Sequence, residues 1–169
     1  MKRKILKSCF FDRSSVIVAK DLLGKYLVRD GVAYKIIETE AYEGLEDKAS
    51  HASRGQTLRN TPMFGPPGTI YVYFTYGIHW MLNIVCGKEG YPSAILIRGV
   101  EGCIGPARLT KKLEINKRFN SKVLGRKMGL WIEERIIATS NEARILKTPR
   151  IGVEYAGVWA KKLYRFILQ

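Results

Sequence analysis

The chain is poor in the residues that build metal sites and covalent staples: two histidines and three cysteines in 169 residues. Cys9, Cys86 and Cys103 are odd in number and far apart, so they make neither a disulfide framework nor a zinc-ligand spacing. His51 and His79 do not supply the missing ligand spacing either. The cysteines are expected to be reduced, buried and small-hydrophobic in role. Long apolar runs are also missing. No segment approaches the ~20 residues that a bilayer span requires, and Met1-Lys2-Arg3-Lys4 is not followed by an apolar stretch of signal-peptide length. A cytoplasmic protein with no membrane partner is the expectation. Repeats, low-complexity tracts and composition shifts are absent too, which predicts one domain over residues 1–169.

Negative charge is scarce relative to positive. Fifteen acids face 29 Lys and Arg residues, for a net charge of +14 and a pI near 9.8. Such a field attracts polyanions and favours a phosphate backbone through counterion release. The basic residues are spread along the sequence, so a positive face has to be assembled by folding. With 46% hydrophobic and 26% charged residues the composition is globular. The length suffices to bury roughly two-thirds of the unfolded surface.

Near the start, Asp12 is expected to cap a helix whose apolar positions Val16, Ala19, Leu22 and Leu23 recur at helical spacing, with Gly24 ending it. Lys25–Arg29 and Val32–Glu38 read as strands around Asp30-Gly31, a strong hairpin-turn signal. The second strand delivers Glu38 and Glu40 on one face and Thr39 on the other. Residues 44–67 are polar and rich in turn formers, and a loop of that length in a small protein is more often functional than idle. Thr69–Thr75 and Ile78–Cys86 read as strands joined at Tyr76-Gly77, which exposes a large aromatic at a hairpin tip. Ser93–Val100 reads as a buried strand with one charge, Arg98, near its end. Gly105-Pro106 introduces a short helix from Ala107 to Leu113, with Arg108, Lys111 and Lys112 on its polar side. Strands are also expected around Glu133–Ala138 and Ala143–Leu146, followed by a tail with Trp159 and Tyr164.

The words Phe10-Phe11, Leu22-Leu23-Gly24, Glu38-Thr39-Glu40-Ala41-Tyr42, Asp47, His51, Arg59-Asn60, Met63-Phe64, Gly68-Thr69-Ile70-Tyr71-Val72-Tyr73, Tyr76-Gly77, Asn83, Leu96-Ile97-Arg98 and Gly105-Pro106 are collinear over residues 10–115. Together they resemble the 3-methyladenine DNA glycosylases of the alkyladenine type. The resemblance implies a single α+β domain with a curved, mainly antiparallel sheet flanked by helices and a protruding β-hairpin. It also implies a monofunctional enzyme of base excision repair, a monomer without metal or organic cofactor. Its partner is double-stranded DNA containing damaged purines, which it flips out and cuts at the N-glycosidic bond.

Carried over by motif, Glu40 activates the water and Arg98 stands beside it. Tyr42, His51 and Tyr73 hold the flipped base, and Asn83 discriminates against normal purines. Tyr76 intercalates in the gap left in the DNA. Arg59, Lys111 and Lys112 are candidates for the DNA backbone. The chemistry agrees with these residue types: a carboxylate beside an oxocarbenium-like sugar stabilises its charge and accepts a water proton, and aromatic faces suit cationic alkylated purines. From the residues alone, Arg98 also fits an ion pair with Glu101, and Glu38 has no assigned role. The competing readings are a non-catalytic nucleic-acid-binding module, a metal-dependent nuclease using Glu38, Glu40, Asp47 and Glu101, and a lyase working through a lysine Schiff base.

Overall fold

The computed structural model describes residues 2–136 and 144–169. In chain order the elements are β1 (Lys2–Ile5), α1 (Ser8–Phe11), α2 (Ser15–Leu22), β2 (Tyr26–Arg29), β3 (Val32–Glu43), β4 (Ile70–Thr75), β5 (His79–Val85), β6 (Ser93–Val100), β7 (Cys103–Ile104), α3 (Pro106–Lys112), β8 (Leu130–Ile136), β9 (Ile145–Thr148) and β10 (Arg165–Leu168). Short 3-10 segments punctuate the loops, among them His51–Arg54, Thr61–Phe64 and Glu154–Lys161, the last kinked at Gly157. The architecture is α+β, as the resemblance implies. All pairings between the named strands are antiparallel, in the order β1-β8-β2-β3-β6-β5-β4, with β10 joined to β3 and β9, and β7 to β6. Among the described residues no helix is long and apolar enough to cross a membrane.

β3 is the organising strand, and it is longer than its sequence predicts. It runs past the expected end at Glu38 to Glu43 because its polar residues are paired rather than solvated. Along one edge it pairs first with β2, over Val32–Lys35, and then with β10, over Glu38–Glu40; along the other it pairs with β6. Irregular register between Ile36 and Thr39 marks a bulge where the neighbour on the first edge changes.

The two hairpins form where the turn chemistry places them. Asp30 and Gly31 (φ 47° and 86°) and Tyr76 and Gly77 (φ 52° and 66°) all lie in the left-handed region, which matches the twist of the flanking strands. Thr75 pairs with His79, leaving Tyr76 84% exposed at the tip.

One face of the sheet is covered by the helices. Val18, Ala19 and Leu22 of α2 and Leu109 of α3 pack with Ile36, Ala41, Leu82, Ile84, Ile95 and Ile97. Each large apolar side chain so buried contributes about 1.5–3 kcal/mol. Asp12 does not cap α2 as expected. Ser14 occupies the N-cap position, and the donors there are taken by Glu43 from the end of β3, which accepts from the Ser15 N–H at 2.7 Å and from both serine hydroxyls. A long-range carboxylate has replaced the local one. Gly24 (φ 81°) does end the helix. The expected strand near Glu133 begins earlier, at Leu130, and the next covers Ile145–Thr148; Ile137, Ala138 and Ala143 lie outside the described residues.

Candidate active site

Strand alternation builds the site on the face of the sheet opposite the helices. Register aligns Glu40 of β3, Leu96 of β6, Asn83 of β5 and Tyr71 of β4 in one row across four strands. Residues two positions along, Tyr42, Ala94, Met81 and Tyr73, share that face. All eight line a cavity of about 280 Å³, together with His51 and Arg59 from the long loop and residues 151–153 and 155 from the carboxyl-terminal segment. The sequence-predicted set Glu40, Tyr42, His51, Tyr73, Tyr76, Asn83 and Arg98 is thus gathered at one cavity, joined by Arg59.

At its floor Glu40 is fully buried. Its Oε1 accepts a hydrogen bond from the Ile151 N–H at 3.0 Å and lies 3.3 Å from Arg98 Nη1; Oε2 accepts from the Tyr42 hydroxyl at 2.9 Å. Burial pushes the Glu40 carboxyl above the ordinary range, against the opposing pull of Arg98, the Ile151 N–H and the Tyr42 hydroxyl. The acid is therefore held in one orientation and made a stronger proton acceptor than a surface glutamate.

Arg98 does not pair with Glu101. Its Nε donates to Glu38 at 2.9 Å, and Arg165 Nε donates to the same oxygen at 2.6 Å. Glu38 thereby acquires a role: it fixes the Arg98 guanidinium while Nη1 reaches Glu40. Gly99 permits this close approach, since a Cβ there would stand 3.3 Å from the Glu38 Cβ. Two carboxylates and two guanidinium groups leave the floor electrically balanced.

Aromatic rings form the walls. His51 packs edge-on to Tyr73 with ring centroids 4.5 Å apart, and its Nδ1 is hydrogen-bonded to the Tyr71 hydroxyl at 3.0 Å. Although His51 keeps an exposed face, the surrounding protein and Arg59 hold its imidazole below the usual histidine range, so it is neutral at neutral pH. Burial raises the Tyr42 phenol well above its ordinary value and pushes Tyr73 up to about 12, so both stay protonated. Asn83 is buried, and its amide donates to the Tyr71 carbonyl at 3.2 Å, which fixes the side chain against the cavity. Arg59 donates to the Phe74 carbonyl at 2.8 Å and lies 5.4 Å from the Tyr73 ring centroid, so it lines the cavity while staying exposed to solvent. Lys111 and Lys112 are not brought to the cavity; α3, which carries them, packs on the helix-covered face.

The sequence profile of the family described as methylpurine-DNA glycosylase matches residues 9–169. The chain belongs to that family. Similar relatives include a protein of Anaeromyxobacter dehalogenans (strain 2CP-C), 44% identical over 97% of this chain and 83% of its own. Another, from Legionella pneumophila (strain Paris), is 43% identical over 99% and 95%, and one from Methanocella arvoryzae is 40% identical over 96% and 91%. All three carry the name "Putative 3-methyladenine DNA glycosylase".

In this methylpurine-DNA glycosylase family member, the residues that sequence reasoning missed lie in the carboxyl-terminal segment. Arg150 is fully buried and forms a two-pronged ion pair with buried Asp47, at 2.5 and 2.8 Å. It also donates to the carbonyls of Ala41 at 2.9 Å and Trp159 at 3.2 Å, and lies within cation–π range of Tyr42 and Tyr164. By tying β3, the long loop and the tail together, Arg150 sets the next residue, Ile151, with its N–H on Glu40. No spacing signal foretells this, because the partners are more than 100 positions apart in the chain. The carboxylates considered as metal ligands do not converge: Glu38 and Asp47 are taken by guanidinium groups, and among the described residues no cluster of three or more candidate ligands occurs.

Proposed function

We propose that the protein is a monofunctional DNA glycosylase that releases an alkylated purine of the 3-methyladenine type, or a deaminated one, from duplex DNA. The observation that carries this reading is the buried Glu40, oriented by three donors at the floor of an aromatic cavity. A purine inside an intact duplex cannot reach such a floor, so the nucleotide turns out of the stack, with exposed Tyr76 filling the gap. The base lodges among Tyr42, His51 and Tyr73. A cationic alkylated purine gains from the π faces, and a neutral His51 adds no repulsion.

As the glycosidic bond breaks, its electron pair leaves with the base and the sugar takes on oxocarbenium character. Ionised Glu40 stabilises that charge and accepts a proton from the water that attacks the anomeric carbon. For a cationic base no protonation of the leaving group is needed, because the departing electron pair neutralises it. Arg98 keeps enough of Glu40 ionised to act, and Asn83 meets the base edge to select among purines. No metal or organic cofactor enters these steps. The protein acts as a monomer, and in the cytoplasm, near the nucleoid in a prokaryote.

The test is Glu40→Gln in single-turnover assay on alkylated duplex DNA. Binding is expected to persist while base release falls about 10²-fold or more, the usual size of a general-base contribution. Full release by the variant contradicts the mechanism. Strong binding by the native protein with no free base favours a non-catalytic binding module instead.

A further inference from the structure

A second, open cavity of about 670 Å³ adjoins the first and shares two residues with it, His51 and Tyr155. Its other lining residues are Lys48, Ser50, Ser53 and Arg54. Where the aromatic cavity is walled by rings, this one is cationic and hydroxylic. Lys48 and Arg54 are exposed, and among the described residues neither forms an ion pair with a carboxylate.

The segment that carries them is pinned. The Asp47 side chain is locked by Arg150, and the Asp47 carbonyl accepts from the Ser50 N–H at 2.8 Å. Ser50 Oγ accepts from the Ala52 N–H at 3.2 Å, and the Ser53 N–H donates to the Ser50 carbonyl at 3.1 Å. Beyond the turn, the Asn60 amide donates to the carbonyls of His51 at 3.0 Å and Gly55 at 2.9 Å. Two free cations and a hydroxyl are therefore presented from a backbone that has little freedom left to lose on binding. Arg54 also faces Tyr155 closely enough to draw that phenol's ionisation downward, against the burial that raises it.

We propose that Lys48, Ser53 and Arg54 bind a phosphodiester flanking the nucleotide whose base occupies the aromatic cavity. His51 and Tyr155 form the ridge between the two: base on one side, phosphate on the other, the sugar spanning them. Gripping the backbone beside the reacting sugar holds the nucleotide out of the stack, a task that cations on α3 cannot perform from the other face of the sheet. The proposal rests on the glycosylase reading for the identity of its ligand.

Its test compares the native protein with K48Q/R54Q on duplexes that carry one pyrrolidine abasic nucleotide, a cationic mimic of the oxocarbenium sugar. The phosphates around that nucleotide are replaced singly by neutral methylphosphonate. The double variant is expected to bind the unmodified probe about tenfold more weakly, with a slope of log affinity against log salt smaller by about one. Methylphosphonate at one of the two flanking phosphates should weaken native binding similarly and leave K48Q/R54Q with no further loss. Undiminished binding by K48Q/R54Q, or equal loss from the double substitution on every methylphosphonate duplex, overturns the proposal. Base release from methylated DNA is followed separately. Coupling without release leaves the phosphate site standing and removes the glycosylase reading; release without coupling does the reverse.

Discussion

Replacing Arg150 by Met keeps most of its volume and removes its charge, leaving the fully buried Asp47 carboxylate without its partner. Breaking a buried ion pair from one side costs about 3–5 kcal/mol. In a chain of this length each kcal/mol shifts the melting temperature by about 2–4 °C, so R150M should melt about 6–20 °C below the native protein. The exposed pair Arg13–Asp21 supplies the contrast. At 2.9 Å its distance is comparable, but its side chains are 36% and 46% exposed. Such a surface pair contributes about 0–1 kcal/mol, so D21N should shift melting by no more than a few degrees. Burial, not distance, decides between them. The double variant D47L/R150M removes both charges at once and should recover more than half of the loss, short of full recovery because the Ala49 and Glu43 N–H groups also donate to Asp47. Scanning calorimetry reads all four proteins. Below its melting temperature R150M should also release base more slowly, since Ile151 no longer holds its N–H on Glu40. Melting of R150M within about 2 °C of native refutes the reasoning, because that is no more than a surface pair contributes.

Because burial raises the Glu40 pKa, base release should decline with falling pH from a point above the ordinary carboxylate range, and Arg98→Met, which removes the largest downward pull, should move that decline to still higher pH; an unmoved acid limb contradicts the assignment. The same shift has a stability consequence with a definite sign. A carboxyl whose folded pKa exceeds its unfolded value costs stability where it is ionised and relieves that cost as pH falls through the folded value. E40Q should therefore be at least as stable as native at neutral pH, with the difference vanishing in acid, which thermal melts across pH would show. Tyr76→Ala should slow base release from duplex DNA while sparing release from single-stranded DNA, where no stack has to be opened; equal effects on both substrates argue against a wedge.

Local chemistry determined much of this protein before any folding was considered. Asp30-Gly31 fixes its hairpin because few residue pairs tolerate two successive left-handed conformations, and Gly77 supplies one of the two that the Tyr76-Gly77 turn requires. Period-two alternation placed Glu38 and Glu40 on one side of β3 and Thr39 on the other, and the motif words identified the wall residues and Asn83. These are short-range properties, set by neighbours in the chain. The tertiary structure decided what depends on neighbours in space. Arg98 chose Glu38 and Glu40 over Glu101 because the antiparallel pairing of β6 with β3 brings it there. Glu43, not Asp12, meets the start of α2, because the end of β3 delivers a carboxylate to that helix. Arg150 and Ile151 complete the site from the carboxyl-terminal segment across more than 100 positions. Such pairings carry no periodicity, since an ion pair or an N–H contact records only the distance between two groups after the sheet has formed. The sequence by itself thus named the groups that line the cavity, while the fold alone set the orientation of the acid among them and the burial that raises its pKa.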